Sequence, residues 1–295
     1  MSNRIEFYKN RSIGERFSVS VDFLKQNWKV LYKNILIGGL PLAIMMSYFL
    51  AQQMNVELAH DVSVFFIHYV FFFLISFLSM VYLYSMTGAV LYHYDRNQLS
   101  ETTGWNDLKE TFFRFSGKTV IISLSVYIPL IIFVVIFAAF SFVLGDFSSS
   151  GSQTLSIIVI IFFLILFIGG AIALTPSFTI LYFPAYFSGK GNWESIKIAF
   201  KLGFKNWGSL FVTIILAGIV LYIIYMLFLL PFIFVAIFSM GQVTIFTYIF
   251  ALLPALAITM IYPIMSVIFA FQYFSIVEKE EGVSLQSRVS EFENL

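Results

Sequence analysis

Residues 210–240 read LFVTIILAGIVLYIIYMLFLLPFIFVAIFSM, without a single Asp, Glu, Lys or Arg. An α-helix needs about 20 apolar residues to cross the hydrocarbon core of a bilayer. An open strand cannot cross lipid, because its unpaired backbone groups find no hydrogen-bond partner there. The stretch therefore predicts a membrane-spanning helix. It is longer than a bilayer is thick, so we expect this helix to tilt, kink or extend beyond the membrane.

Five further apolar runs flank this one along the chain. They are Val30–Ala51, Phe65–Tyr92, Thr119–Leu144, Leu155–Phe187 and Ile245–Ile276, and the only charged residue inside them is Lys33. The whole chain is 60% hydrophobic and 11% charged, whereas a soluble domain is about half apolar and a quarter charged. The sequence predicts an all-α integral membrane protein with six transmembrane helices.

The basic residues fix the expected orientation of these helices. Of the 17 Lys and Arg residues, Lys33 lies in the first turn of the first run, and all others lie before that run, between the second and third, between the fourth and fifth, or after the sixth. The connections on the other side hold only Glu57, Asp61 and Asp146 as charged residues. Lys and Arg are enriched in cytoplasmic loops. We therefore predict a multi-pass protein with both termini in the cytoplasm.

Short segments recur along the chain at similar spacing. Residues 105–112 read WNDLKETF and residues 193–200 read WESIKIAF. Pro176 precedes Tyr186 by the same interval that separates Pro263 from Tyr273. Such self-similarity indicates repeated structural units. We predict one membrane domain, residues 1–295, built from three hairpins at about 12–94, 105–187 and 193–275, followed by an amphipathic tail at 276–295.

A cytoplasmic amphipathic helix is predicted before each hairpin. In the first, one face carries the apolar residues Ile13, Phe17, Val21, Leu24 and Trp28. In the third, Lys197, Lys201 and Lys205 form a basic stripe opposite Ile196, Phe200 and Trp207. Helices of this kind lie in the membrane interface or pack under a bundle. Two interpretations are open: structural collars that orient each hairpin, or docking surfaces for a partner protein or anionic lipid headgroups.

Prolines interrupt several of the predicted spans. Pro176, Pro231 and Pro263 are predicted to kink their helices, because proline lacks the N–H that continues the helical ladder. Transporters use such interruptions to expose backbone to a substrate. Proline is also simply more frequent in membrane helices than in soluble ones. Two interpretations are therefore open: the kinks serve transport, or they are structural and have no transport role.

The sequence lacks the residue patterns of the common membrane enzymes. It has no Cys and 3 His, and it contains no His-Glu-x-x-His motif, Gly-x-Ser-x-Gly elbow or phosphate-binding glycine loop. Glu57, His60, Asp61 and His68 cluster near the second span and are interpreted as a solvated helix start. The net charge of +1 argues against nucleic acid as a partner. We expect no enzyme activity, no cofactor and no metal site.

Two segments carry a resemblance to a known group of proteins. They are residues 11–17 (RSIGERF), running on to Asn27 and Trp28, and residues 193–196 (WESI), running on to Asn206 and Trp207. Over about residues 12–275 the chain resembles six-span bacterial membrane proteins of poorly understood role. These include the membrane region attached to some glycerophosphodiester phosphodiesterases. The catalytic barrel of those enzymes is absent here, so the resemblance implies no catalytic residue. It implies a bacterial cytoplasmic-membrane protein.

Two hypotheses for the function follow from these features. The first is a non-enzymatic scaffold or assembly subunit of a larger membrane complex, because catalytic patterns and intramembrane charges are missing while cytoplasmic surface helices are present. The second is a transporter or flippase-like protein for an apolar or lipid substrate, because long, Pro-interrupted helices rich in Tyr and Phe suit such a substrate. Membrane lipids, and other membrane subunits in the first case, are the expected partners.

Overall fold

The computed structural model describes residues 4–53, 62–148, 153–239 and 242–283. The side chains of residues 62–65, 130, 133–134, 136–148, 153–160 and 163–164 also fall outside the described part. No strand occurs within the described ranges. The helices are α1 (Ile13–Gln52), α2 (Val62–Asp95), α3 (Trp105–Ser148), α4 (Gln153–Thr179), α5 (Phe183–Phe187), α6 (Asn192–Lys205), α7 (Trp207–Phe238) and α8 (Ile245–Glu281).

Five helical segments are long and apolar enough to cross a membrane. They are Ile13–Gln52, Phe66–Asp95, Ile165–Phe187, Trp207–Phe238 and Ile245–Glu281. The chain is therefore an all-helical, multi-pass membrane protein over its described residues, as the sequence predicts. The remaining predicted span, Thr119–Leu144, falls in α3, where most side chains of its second half lie outside the described part. It stays a prediction.

The first predicted surface helix and the first predicted span form one continuous helix. Helix α1 runs for 40 residues, which corresponds to about 60 Å at 1.5 Å per residue. It starts at a capping box, in which Glu15 N donates to Ser12 Oγ at 3.4 Å and Ser12 N donates to Glu15 Oε2 at 2.7 Å. Helix α3 likewise joins the second surface helix to the third span. Only α6 is a separate helix among the described surface segments.

The predicted apolar face of the first surface helix is only partly exposed. Val21 is 44% and Trp28 is 54% exposed, whereas Ile13, Phe17 and Leu24 are half-buried. The fully buried positions, Arg16, Ser20 and Phe23, lie beside this stripe. The helix can bury a polar face because the Arg16 guanidinium donates to Gln272 Oε1 at 2.6 Å and to the Arg11 carbonyl at 2.8 Å.

Two compact units make up the chain, and their boundaries fall inside α3 and α7. Unit 1 comprises Met1–Gly117 and Val212–Leu295, and unit 2 comprises Lys118–Phe211. In unit 1, α1 packs along both α2 and α8. The division differs from the three hairpins predicted from the sequence, and the repeat stays a prediction.

Small residues allow the three helices of unit 1 to approach one another closely. Ala43, Met46, Ile75 and Ala255 form one buried cluster of α1, α2 and α8. At Gly39, an added Cβ would lie 2.8 Å from Thr259 Cγ2 of α8. Lipid tails are as apolar as side chains, so close packing of small residues, rather than the hydrophobic effect, drives helix association in membranes. We call α1, α2 and α8 the three-helix core.

A tyrosine of α2 enters the hydrogen-bond ladder of α1. The Tyr82 hydroxyl donates to Asn34 O at 2.8 Å and accepts from Gly38 N at 2.9 Å. These two backbone groups pair with each other in an uninterrupted helix. Gly38 is required here, because an added Cβ would lie 2.6 Å from the Tyr82 ring. Pro41 follows one turn later within the same continuous helix.

In unit 2 the fourth predicted span is broken near its C-terminal end. Helix α4 stops at Thr179 and α5 starts at Phe183. Pro184 has no N–H to donate to Ile180 O, which accepts instead from Phe183 N at 3.3 Å. The break is therefore set by Pro184. In contrast, α7 continues through Pro231 and α8 through Pro263.

Side chains of α3 hold this break, all within unit 2. Lys118 Nζ donates to Ala185 O, the hydroxyls of Thr119 and Tyr186 share a hydrogen bond, and Ser123 Oγ lies 2.9 Å from the Tyr182 hydroxyl. These polar residues follow one another at helical spacing on α3. They supply hydrogen-bond partners for groups near the break, where the regular helical hydrogen bonding is lost.

Candidate functional site

A cleft opens between α2, α7 and α8 within unit 1. Its volume is about 420 Å³, which is in the range of small-molecule sites. Four tyrosines and otherwise apolar residues line it: Tyr84, Gly218, Leu221, Tyr222, Tyr225, Ile258, Ile261, Tyr262 and Met265. The rings of Tyr84 and Tyr262 meet edge to face with centroids 6.2 Å apart. We call this site the tyrosine cleft.

The tyrosine cleft lies far from the ends of the helices that form it. With a rise of about 1.5 Å per residue, Tyr84 is about 16 Å from the end of α2 at Asp95, and Tyr222 is about 22 Å from the start of α7 at Trp207. Tyrosine in membrane proteins is enriched at the interfaces, where the hydroxyl reaches water. Four tyrosines gathered at mid-helix are therefore unusual, because polar groups at that depth need partners other than water.

The wall formed by α7 leaves room for a guest molecule. An added Cβ at Gly218 would meet no atom within 4 Å. Tyr222 is 58% exposed, and its neighbour Ile219 is 55% exposed on the same helix. The cleft is therefore open to whatever surrounds α7, which in a membrane is lipid. Apolar walls with a few hydroxyl groups suit an apolar chain that carries a hydrogen-bonding group.

Tyrosine hydroxyls are the polar side-chain groups that line the cleft. Its lining has no Asp, Glu, His, Lys or Arg. Across the described residues, no group of three or more His, Cys, Asp or Glu side chains could hold a metal ion. Of the candidates near the second span, Glu57, His60 and Asp61 lie outside the described residues. His68 packs its ring against Phe49 at 6.1 Å.

A second region of interest is the N-terminal segment, residues 4–12, which lies on the ends of α2 and α8. Arg4 donates to Tyr94 O at 3.0 Å and to Asp95 O at 2.7 Å, and so caps the carbonyl end of α2. Phe7 is buried and stacks on Phe274 with centroids 4.7 Å apart. Arg11 N donates to Ser275 Oγ at 3.0 Å.

Beside this segment a polar groove of about 600 Å³ runs along the outer side of α1. Both charge signs line it: Arg4, Ile5, Glu6, Lys9, Arg11, Val19, Asp22 and Gln26. Burial lowers the pKa of Arg11 and raises the pKa of the Tyr8 hydroxyl, so Tyr8 keeps its proton. We call this feature the mixed-charge groove.

The predicted basic stripe lies on an exposed face of α6. Lys197, Lys201 and Lys205 are exposed, whereas Ile196 and Ala199 are buried. The buried face packs on α4, where an added Cβ at Gly203 would lie 2.3 Å from Ser177 Oγ. The stripe and the tyrosine cleft lie on different helices: the stripe belongs to unit 2, and the residues of the cleft belong to unit 1.

Of the three predicted kink prolines, one lies beside a residue that lines the cleft. Pro231 lies on α7 beyond the lining residues, next to Phe232, which packs on Ala51 and Ala251. Pro263 lies beside the lining residue Tyr262. Pro176 belongs to α4, in unit 2. A continuous helix can be straight or bent, so the three kinks stay predictions.

Sequence reasoning did not identify the tyrosine cleft. The available signal was the pair Tyr222 and Tyr225 in the middle of an uncharged run, where an interface residue is out of place. These two residues meet Tyr84 and Tyr262 through the packing of three helices. The spacing of residues in the sequence does not predict that packing.

No protein-family model, curated protein or solved structure matches the chain.

Proposed function

We propose that the protein is a non-enzymatic membrane protein that binds a lipid-like molecule and hands it on within or across the bilayer. The tyrosine cleft carries this proposal: it is apolar, it lies at mid-helix, and it holds hydroxyl groups from Tyr84, Tyr222, Tyr225 and Tyr262. An acyl chain fits the apolar walls, and an ester or hydroxyl group of the lipid supplies hydrogen bonds to the tyrosines. Transport or flippase-like movement is the matching activity.

The absence of charge in the cleft supports an apolar cargo over an ionic one. Pathways for ions and charged solutes are marked by ionisable groups inside the membrane. The lining of the tyrosine cleft has none. A route from the surrounding lipid also needs no aqueous channel, because the exposed side of Tyr222 already faces outward from α7.

A filled cleft tests this function. Gly218→Leu places a side chain in the cleft without a backbone clash. The matched control is Gly169→Leu on α4, where an added Cβ also meets nothing within 4 Å. A phospholipid with a photoactivatable group in its acyl chain is reconstituted with each protein, and crosslinked peptides are mapped.

In the unsubstituted protein we expect crosslinks on residues 218–225 and 258–265. Gly218→Leu should reduce them at least about fivefold, and Gly169→Leu should leave them unchanged. Equal labelling of all lipid-exposed helices, or no effect of Gly218→Leu, would overturn the proposal. Movement of a labelled lipid in proteoliposomes then distinguishes transport from simple binding.

A second candidate function is that of an assembly subunit in a larger membrane complex. The mixed-charge groove favours it, because a groove of about 600 Å³ with both charge signs suits a segment of another polypeptide. Purification in mild detergent with Asp22→Lys tests this candidate, with Lys29→Gln on the same helix as control. A co-purifying chain lost only from Asp22→Lys supports it, and a partner-free particle in several detergents contradicts it.

The proposed topology has six spans, with both termini in the cytoplasm of a bacterium and the chain in its cytoplasmic membrane. The distribution of Lys and Arg and the sequence resemblance support it. Because the chain has no Cys, single cysteines report without background. Gln242→Cys should react with a membrane-impermeant thiol reagent from outside intact cells, and Glu101→Cys only after lysis. The reverse pattern would overturn the orientation. Ser149 and Ser287, equally suited by sequence, lie outside the described residues.

The three-unit repeat is also part of the proposal. Helix α1 buries Arg16, Ser20 and Phe23, and α6 buries Ser195, Ala199 and Leu202 at the same intervals. These intervals follow from aligning Asn27-Trp28 with Asn206-Trp207. An experimental structure in which residues 105–187 cannot be superposed on residues 193–274 in the same order and direction would contradict the repeat.

A further inference from the structure

Helix α6 presents an outer face in which basic and aromatic side chains share one stripe. Trp193 is 65% and Phe204 is 52% exposed, and Lys197, Lys201 and Lys205 are exposed between and beside them. The opposite face is buried. Aromatic rings and lysines on one exposed face are typical of helices that lie in the headgroup layer, where rings enter the acyl boundary and lysines meet phosphates.

The chain holds α6 at the level where its neighbours leave the membrane. A spanning segment, Ile165–Phe187, precedes it, and only Asn206 separates it from α7. Within unit 2, the close approach of Gly203 to Ser177 and the contact of the Phe178 and Phe200 rings, with centroids 5.8 Å apart, fix it against α4. The helix has no linker that would let it leave the membrane surface.

The charge of the outer face is complementary to an anionic surface. The one acidic residue of α6, Glu194, forms an ion pair with Lys190 at 2.9 Å. Lys197 Nζ lies 5.6 Å from the centre of the Trp193 ring, an arrangement that keeps the ammonium beside the aromatic anchor. The stripe thus carries net positive charge toward solvent.

From these observations we propose that the outer face of α6 binds anionic phospholipid headgroups of the cytoplasmic leaflet. The binding elements are Trp193, Lys197, Lys201 and Lys205. Each lysine near an anionic surface raises affinity about fivefold at moderate salt, so three lysines give a marked preference for an anionic over a zwitterionic lipid. The site is independent of the tyrosine cleft and of the cargo that the cleft binds.

The test compares three forms of the purified full-length protein. The stripe variant carries Lys197→Gln, Lys201→Gln and Lys205→Gln. The control carries the same charge change at exposed, scattered positions, Lys25→Gln, Lys109→Gln and Lys279→Gln. A third form replaces the three stripe lysines by Arg, which keeps the charge. Each is titrated with phosphatidylglycerol or phosphatidylcholine, and bound lipid is counted by native mass spectrometry.

We expect the parent protein to prefer phosphatidylglycerol, and the stripe variant to lose at least about fivefold of that preference. The scattered control and the Arg form should retain it within about twofold. Raising the salt from about 50 to 500 mM should weaken the preference of the parent protein. No preference in the parent, or equal losses in both Gln variants, would overturn the proposal. Loss of a co-purifying acidic protein from the stripe variant, with lipid preference intact, would overturn it in favour of a protein partner.

Discussion

Helices α7 and α8 follow one another in the chain and differ sharply in their surroundings. Their most apolar parts have mean hydropathy of 2.8 and 2.1, yet 11% of that part of α7 is buried in the protein, against 50% for α8. The more apolar helix is the less buried one. Hydropathy therefore identifies what enters the membrane and does not identify what packs inside the protein.

Small and polar residues contribute to the difference. Beside large apolar residues such as Phe269, Phe271 and Phe274, α8 buries many small and polar ones: Ala251, Ala255, Ala257, Thr259, Ser266, Ala270, Gln272 and Ser275. The exposed surface of α7 carries large ones: Ile215, Leu216, Ile219, Val220, Ile223, Leu227, Phe234 and Ile237. Small residues let backbones approach, and polar ones bond across helices. Large apolar side chains are equally well solvated by lipid tails.

The strongest contrast is expected from removing one phenyl ring from each helix. Phe271 of α8 is fully buried, and Phe234 of α7 is 64% exposed. Phe271→Ala leaves a cavity beside Phe7 and Phe23 and should lower the free energy of unfolding by about 3–5 kcal/mol. Phe234→Ala should change it by less than about 1 kcal/mol, because lipid fills the space. Unfolding in mixed micelles measures both, and equal losses would contradict the contrast.

A smaller loss is expected from the polar contact inside the core. Gln272→Met removes the acceptor of the Arg16 guanidinium, a hydrogen bond of 2.6 Å in a buried site. Hydrogen bonds of charged groups contribute about 1.5–3 kcal/mol, and we expect a loss of that size. Gln98→Met, at an exposed position after α2, is the control and should be neutral. A stabilised Gln272→Met protein would show that the core gains nothing from this contact.

Two glycines, one on α1 and one on α7, extend the contrast between packed and exposed helices. Gly38→Ala places a Cβ 2.6 Å from the Tyr82 ring, so the ring must move and its hydrogen bonds to α1 weaken. Overpacking of this kind should lower stability by about 1–2 kcal/mol. Gly218→Ala on α7 meets nothing within 4 Å, and alanine favours a helix over glycine by about 1 kcal/mol. The two substitutions should therefore shift the unfolding midpoint in opposite directions.

The smallest effect is expected from the Tyr82 hydroxyl. Tyr82→Phe removes one donor and one acceptor, but Asn34 O and Gly38 N can then pair with each other, so stability should fall by less than about 1 kcal/mol. Tyr127→Phe, at a 37% exposed position, is the control. Hydrogen exchange at the Gly38 amide should change in Tyr82→Phe only. An unchanged rate would show that the hydroxyl does not hold that amide.

The sequence predicted the membrane-spanning class well, because uncharged length is a property of each segment alone. The capping box at Ser12 and Glu15 was equally local and equally predictable. The direction of the first surface helix was not predictable in this way. The face that it buries includes Arg16, which finds an acceptor in Gln272, far along the chain.

The two candidate sites differ in the same way, because one depends on local sequence and the other on the packing of distant segments. The stripe of Lys197, Lys201 and Lys205 follows from helical spacing within one short segment, and the structure places it on an exposed face. The tyrosine cleft needs residues from α2, α7 and α8 to meet, and their sequence separation carries no sign of it. The break after Thr179 was not predicted from the sequence. It arises because Pro184 has no N–H to donate to the carbonyl four residues before it, Ile180 O.

The Tyr82 hydroxyl affects the stiffness of α1 near the middle of that helix. A continuous ladder makes a helix a stiff rod, and helix α1 is about 60 Å long. The Tyr82 hydroxyl of α2 bonds to both Asn34 O and Gly38 N, so α2 adds to the stiffness of α1 at this point. Arg16 holds the N-terminal half of α1 to α8, and the C-terminal half packs at Ala43 and Met46. The Tyr82 contact lies between the two halves. A bend at this contact would be controlled by α2, the same helix that carries Tyr84 into the cleft.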